Sequence, residues 1–291
     1  MDARLSRRGL LAGGAAAAAI GAAPEASAQP GSGPPKYRLG LVTYNVARDW
    51  DLPTILSHCR AAGVAAVEFR TTHRHGVEPS LSAAQRQEVR QRCADAGIAI
   101  WGLGTVCEFQ SPDPAVVRQQ IETCRAFVEL ARDLGARGVK VRPNGLPAGV
   151  PVAKTLEQIG LAVRECAEFA RAAGVEIWVE VHGSGTQQPE NMRQIMEVCH
   201  HPAAGICWNS NPTDVKDGSV AAAFELLRPF LKSVHINTLW GAYPYRELFT
   251  LLRGAGYDRY TLCEVGSPIN ADSGTPFLQC YHGLWRALAG A

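Results

Sequence analysis

The sequence predicts an α/β protein built as a single closed (β/α)₈ barrel. Three observations carry this expectation. From Arg38 onward, eight short apolar runs alternate with amphipathic helical patterns, in units of roughly 25 to 40 residues. Glycine stops stand just before several runs, as in Ala62-Gly63-Val64, Ala96-Gly97-Ile98 and Ala173-Gly174-Val175. Eight such units in about 255 residues match the size of a closed parallel barrel, and 46% hydrophobic residues in a 291-residue chain suffice for one core. An open doubly wound sheet is the alternative, but no G-x-G-x-x-G pattern follows the first strand.

Each element has its own signal. Leu39–Tyr44 is the first strand. Asp51-Leu52-Pro53 opens a helix with an N-cap and an early proline, and Gly63 closes it. Ala65–Arg70 is the second strand, Ser82–Ala96 a polar-faced helix ended by Gly97, and Ile98–Leu103 the third strand. Asp113-Pro114 starts a long helix to Leu134, stopped by Gly135, and Val139–Arg142 is the fourth strand. The second half repeats the pattern. Helices are expected over Ala153–Ala173, Pro189–Cys199, Ser219–Leu231, Tyr245–Arg253 and Pro276–Leu288. The strands between them are Val175–Val181, Gly205–Trp208, Ser233–Ile236 and Tyr260–Val265.

The barrel is assigned to residues 38–291, with residues 29–37 as a Pro/Gly-rich tether. Residues 1–28 are expected to be a twin-arginine signal peptide. Ser6-Arg7-Arg8-Gly9-Leu10-Leu11 leads into an apolar Ala/Gly-rich run to Ala23, and Ala26-Ser27-Ala28 is a small-x-small cleavage signal. The run is too short and small-sided for stable membrane insertion. Such a signal implies periplasmic or secreted localisation after folding, with any metal loaded beforehand. Without residues 1–28, 26 basic and 25 acidic residues give a net charge of about +1, which excludes a nucleic-acid footprint. The nine cysteines include no C-x-x-C pair. Five of them (Cys59, Cys93, Cys124, Cys166, Cys199) sit in predicted helices, where buried packing accounts for them.

In a parallel barrel alternate residues point inward, and function gathers at the C-terminal ends of the strands. On the fifth strand Ile177, Val179 and Val181 suit the helix-facing side, so Trp178, Glu180 and His182 turn inward. The same alternation turns Cys207 and Asn209 inward on the sixth strand, Ser233, His235 and Asn237 on the seventh, and Leu262 and Glu264 on the eighth. Four consecutive strands thus aim Glu180, Asn209, His235 and Glu264 at one end of the barrel. Burying two carboxylates there without a counter-charge is costly. One divalent cation is the simplest partner, and this donor set suits Mn²⁺, Mg²⁺, Co²⁺ or Zn²⁺.

On these residues the sequence resembles the xylose isomerase-like TIM barrels, the superfamily of sugar phosphate isomerases and epimerases that also holds the family 2 AP endonucleases. The resemblance covers about 250 residues. It is carried by Glu180-Val181-His182, Trp208-Asn209-Ser210-Asn211, Val234-His235-Ile236-Asn237 and Glu264. It implies Glu, Asp, His and Glu at four metal positions. This chain departs from it with Asn209 in place of Asp, and with Pro212 where a His usually follows three residues later. Two carboxylates then just balance M²⁺. The expectation is weaker binding and a stronger Lewis acid, with His182 as a candidate replacement ligand and loss of the metal as the other outcome.

Further candidates surround this set. Glu68 and Arg70 point inward from the second strand. His73 and His75 follow in the loop, with His75 favoured for substrate because Gly76 lets the chain turn back over the mouth. Lys140 and Arg142 face inward on the fourth strand, where buried cations need an anionic partner: Glu68, Glu180 or a substrate group. Trp240, Tyr243 and Tyr245 follow the seventh strand and either stack on a sugar face or pack within the loop. His182, Asn211, Asn237 and Trp240 complete the expected substrate-binding residues. Trp101 and Trp178 are read as core, and His58, His200, His201 and His282 as structural or surface.

The resemblance implies a metal-dependent isomerase or epimerase of a sugar or keto-sugar. Glu180 and Glu264 would move the proton across the substrate plane through a metal-bound enediolate. The same half-reaction with a β-leaving group makes a lyase or hydratase on 3-keto-glycosides the alternative. A non-catalytic sugar-binding barrel is the second class, on the strength of Asn209. AP endonuclease action needs a multi-zinc cluster and a basic groove, which this chain lacks. The expected partner is a small-molecule carbohydrate. Barrels of this type often form dimers or tetramers, and the sequence leaves that choice open.

Overall fold

Eight parallel strands close on themselves in chain order, each followed by a helix on the outside. The computed structural model describes residues 33–291. The expected signal peptide and most of the expected tether fall outside the described residues. Tyr37, at the tether's end, is buried: its hydroxyl donates to the Phe249 carbonyl at 3.1 Å and its ring lies on Phe249, Tyr257 and Trp285. The packed body therefore takes in Tyr37.

The strands are β1 (Arg38–Val42), β2 (Ala66–Arg70), β3 (Ala99–Gly104), β4 (Gly138–Val141), β5 (Glu176–Glu180), β6 (Ala204–Trp208), β7 (Leu231–Ile236) and β8 (Tyr260–Cys263). The helices are α1 (Leu52–Ala62), α2 (Ala83–Asp95), α3 (Pro114–Leu134), α4 (Val152–Ala172), α5 (Pro189–Cys199), α6 (Ala221–Leu227), α7 (Tyr245–Gly254) and α8 (Gly274–Ala289). β1 pairs with β8 as well as β2, which shuts the barrel. The helix signals act as expected. Asp51 Oδ1 accepts from the Thr54 amide at 3.0 Å, Ser82 and Gln85 form a reciprocal cap on α2, and Gly63 ends α1 in the left-handed region at φ 69°. One helix is shorter than its sequence pattern. α6 stops at Leu227, because Pro229 lacks an amide hydrogen and its ring blocks the helical path, so residues 228–230 form a 3₁₀ turn.

The barrel interior is layered. At the N-terminal floor Glu176 is buried and bonded to Trp178 Nε1 at 2.9 Å, Arg137 at 2.8 Å and Arg259 at 2.7 Å. Above it Trp101 and Trp178 stack with centroids 4.9 Å apart, and Tyr260 meets Trp101 edge-on at 5.0 Å. Trp101 and Trp178 are thus core. Gly138 makes room for them, since a Cβ there would lie 2.3 Å from Trp178 Cε2. Val42, Ala66, Cys207 and Leu262 complete this inner cluster, so the predicted inward and outward alternation of β5 to β8 is the observed one. All nine cysteines are free thiols, eight of them buried and Cys280 exposed.

Candidate active site and metal centre

The aromatic floor leaves the upper strand ends to polar groups. Glu180 ends β5, His235 lies on β7, and Asn209 and Glu264 follow directly on β6 and β8. All four are buried. One donor atom from each of Glu180, His235 and Glu264 lies within 4.8 Å of the others. His235 Nδ1 faces Glu264 Oε2 at 3.1 Å and Glu180 Oε1 at 3.8 Å. Yet Nδ1 has no hydrogen bond, and neither does the buried Asn209 Oδ1. Such orphaned polar atoms call for an explanation. Two carboxylates, an imidazole nitrogen and an amide oxygen fit a divalent cation.

Two neighbours tune this set. Glu68 Oε2 lies 3.1 Å from His235 Nε2, with both side chains fully buried. A carboxylate there accepts a hydrogen bond from Nε2–H, so Nδ1 is the ring nitrogen left for a bound ion. Gly104 gives Glu68 its space, because a Cβ there would come within 2.8 Å of Glu68 Oε1. Lys140 Nζ bonds Glu180 Oε2, which leaves Oε1 on the His235 side. Burial opposes the charge on both partners. The Lys140 ammonium nonetheless holds the Glu180 carboxyl well below the usual carboxylate range, and Glu180 keeps Lys140 charged. Glu68, Glu180 and Glu264 thus gather three carboxylates around the one imidazole, with Lys140 the one lysine or arginine paired directly with any of them among the described residues.

The cavity above has a volume of about 370 Å³ and is lined by Tyr44, Arg70, Lys140, Arg142, Glu180, His182, Asn209, Asn237, Thr238, Glu264 and Gly266. Besides Glu180, Asn209 and Glu264, the sequence candidates Arg70, Lys140, Arg142, His182 and Asn237 thus reach it. His182 stays outside the three-residue cluster, with its Nδ1 buried and unpartnered.

Four candidates stand elsewhere. Glu68 lies beneath His235 instead of on the cavity wall. His75 is buried with both ring nitrogens occupied: Nδ1 accepts from the Val77 amide at 3.0 Å and Nε2 donates to the Arg70 carbonyl at 3.0 Å. Burial pushes its pKa down to about 4, so it is a neutral brace of the β2–α2 loop. Asn211 is buried as a backbone clamp, donating from Nδ2 to the Val181 carbonyl at 2.6 Å. Trp240 is 61% exposed and lies edge-on to Tyr281, off the cavity lining. Tyr243 and Tyr245 pack inside the loop, donating to Asp214 and interacting with the Asn237 amide, respectively.

Sequence reasoning missed Tyr44, Thr238 and Gly266. Tyr44 stacks on His73 with centroids 6.4 Å apart, and Arg70 lies over its ring at 5.7 Å. Its signal was its place at the end of the first apolar run. Asp214 was missed too. Burial pushes its carboxyl up to about 7, and it accepts from the Asn211 amide and Tyr243 hydroxyl, which fixes the turn after Asn209.

A closed parallel barrel with a buried Glu–His–Glu cluster at the C-terminal ends of its strands has the form of a metal-site barrel. Residues 56–278 match the xylose isomerase-like TIM barrel family, and the chain belongs to that family. A stretch of 137 residues is 29% identical to the L-ribulose 3-epimerase of Mesorhizobium japonicum, covering 45% of this chain and 44% of that protein. The chain thus matches under half the length of this curated relative. Among solved structures, a D-psicose 3-epimerase determined in the presence of D-fructose superposes with a TM-score of 0.73 at 14% identity, covering 87% of this chain and 100% of the other. The IOLI protein, solved with a zinc atom, gives a TM-score of 0.72 at 15% identity, with 87% and 98% covered. At these identities the two structures speak to the fold.

Proposed function

We propose that this protein is a divalent-metal-dependent epimerase or isomerase of a ketose or keto-sugar. The observation that carries the reading is the Glu180–His235–Glu264 cluster, two carboxylates bracketing one imidazole within 4.8 Å at the foot of an open cavity. The relatedness to an L-ribulose 3-epimerase supports it. Glu180, Asn209, His235 and Glu264 would hold the ion, which when bound supplies Lewis-acid polarisation of the substrate's carbonyl and neighbouring hydroxyl oxygens.

The chain's own groups do the rest. A ketose lying across the cavity puts the carbon between carbonyl and hydroxyl between Glu180 and Glu264. One of the pair, as the carboxylate, removes its proton and gives an enediolate. The other, which must start the step as the carboxylic acid, gives its proton to the opposite face and inverts the carbon, and proton exchange with solvent water resets the pair. Lys140 keeps Glu180 ionised and fixed in orientation. Glu68 holds His235 in the tautomer that leaves Nδ1 free. The Trp101–Trp178 floor closes the barrel against water from below.

Product analysis by NMR with a panel of ketoses and 3-keto-glycosides tests this reading. A ketose epimer or aldose supports it. An elimination product from the keto-glycosides alone assigns the lyase chemistry instead. No product from any compound, with the metal-loaded protein folded, overturns both. Export through the twin-arginine route is part of the proposal, and loss of export in an Arg7→Lys, Arg8→Lys double variant is the expected result.

A further inference from the structure

The cavity is electrically lopsided. Glu180 and Glu264 lie at its foot, while Arg70, Lys140 and Arg142 form the wall at the ends of β2 and β4. Lys140 is committed to Glu180. The two guanidiniums are not similarly matched. Arg142 has one carboxylate neighbour, Glu108, at 3.4 Å, and its Nε is buried without a hydrogen-bond partner. Arg70 makes no ion pair among the described residues. It donates from Nη1 to the Thr71 carbonyl at 2.7 Å and Thr72 Oγ1 at 3.1 Å. The nearby Glu78 is taken up by Thr71 Oγ1 and the Thr72 amide. Burial, then the charge of Arg142, push the Arg70 pKa down against the weaker pull of Tyr44, Glu180 and Glu78, so the two cations share a partly desolvated wall and repel each other.

Two guanidiniums held together on a cavity wall, with donors left over, match the flat fork of an oxyanion. A neutral ketose oxygen can accept from Arg142 Nε, but it brings no charge to set against the two guanidiniums. We propose that the substrate carries an anionic group, a carboxylate or a phosphate, gripped by Arg70 and Arg142 at the end remote from the carbon that loses its proton. This inference rests on the keto-sugar reading above and names the class of substrate within it.

The test compares fructose, fructose 6-phosphate and fructuronate, three compounds of one carbon skeleton, by calorimetry on the Mn²⁺-loaded protein. One of the two anionic compounds is expected to bind about ten- to a hundred-fold tighter than fructose, as charge-assisted hydrogen bonds allow. Which of them leads distinguishes carboxylate from phosphate. Arg70→Met and Arg142→Met are each expected to cut that preference about tenfold, while Arg142→Lys keeps part of it. Circular dichroism checks that the variants fold, and the wild-type ratio decides even where a variant does not. Fructose binding as tightly as both anions overturns the inference, as does a preference that neither Met variant moves. Deuterium exchange on the same compounds separates the two claims. Exchange on fructose without anionic preference sinks the anion site alone. Anionic preference without exchange on any compound sinks the epimerase reading and leaves the anion site standing.

Discussion

Glu68→Gln separates the support of the metal site from the site itself. Glu68 touches neither the cavity nor the expected ion. It meets His235 Nε2 at 3.1 Å, and both side chains have no solvent exposure. Glutamine fills the same space but loses the charge that fixes the imidazole's proton on Nε2. Loss of such a partner typically costs about 10- to 100-fold in metal affinity, or about 1.4 to 2.8 kcal/mol. In the metal-free protein the same fully buried contact with His235 also supports the fold, so the variant should melt somewhat lower than wild type and show a smaller rise in Tm on adding Mn²⁺. Calorimetric titration of Mn²⁺ into chelator-treated protein measures the affinity. A folded variant that binds Mn²⁺ as tightly as wild type refutes the reasoning.

Three further outcomes follow from the same geometry. Asn209→Asp adds a third carboxylate to the donor set and should raise Mn²⁺ affinity about tenfold or more, while lowering the Tm of the metal-free protein, both read in the same titrations and melts. Glu176 is held down to about pKa 2 from 4.5, burial being outweighed by Arg259 and the Trp178 bond. A depressed carboxylate stabilises above its unfolded pKa and loses that effect as pH falls through the folded one. About 3 kcal/mol should therefore disappear between about pH 4.5 and 2, and urea titrations across that range should show a flatter loss in Glu176→Gln. Gly138→Ala would place a Cβ 2.3 Å from the Trp178 ring, so it should destabilise by about 1–3 kcal/mol or more in thermal unfolding; an unchanged Tm would contradict the layered interior.

The strands and their facing were legible because a parallel barrel buries both sides of each strand. That leaves short apolar runs whose polar exceptions stand out, as Glu180, His235 and Glu264 do. Depth along the barrel axis was not legible. Glu68 faces inward as expected, yet it lies under His235 instead of beside the substrate. Its level depends on strand stagger, including the register shift at Val67/Glu68, which no single strand encodes. Loops were the other blind spot. His75 and Trp240 have suitable chemistry, but backbone hydrogen bonds draw the first into the β2–α2 loop and the second points outward. Tyr44 reaches the cavity because β1 ends two residues earlier than its apolar run.

The central claim joins the metal centre to proton transfer, and one measurement addresses both. Metal-loaded protein is incubated with ribulose and fructose in D₂O, and deuterium at the carbon next to the carbonyl is followed by ¹H NMR. The expected result is time-dependent incorporation that stops on chelation, returns with Mn²⁺, and is lost in Glu264→Gln while that variant stays folded. Incorporation that survives full chelation, or that is unchanged in Glu264→Gln, would contradict the account.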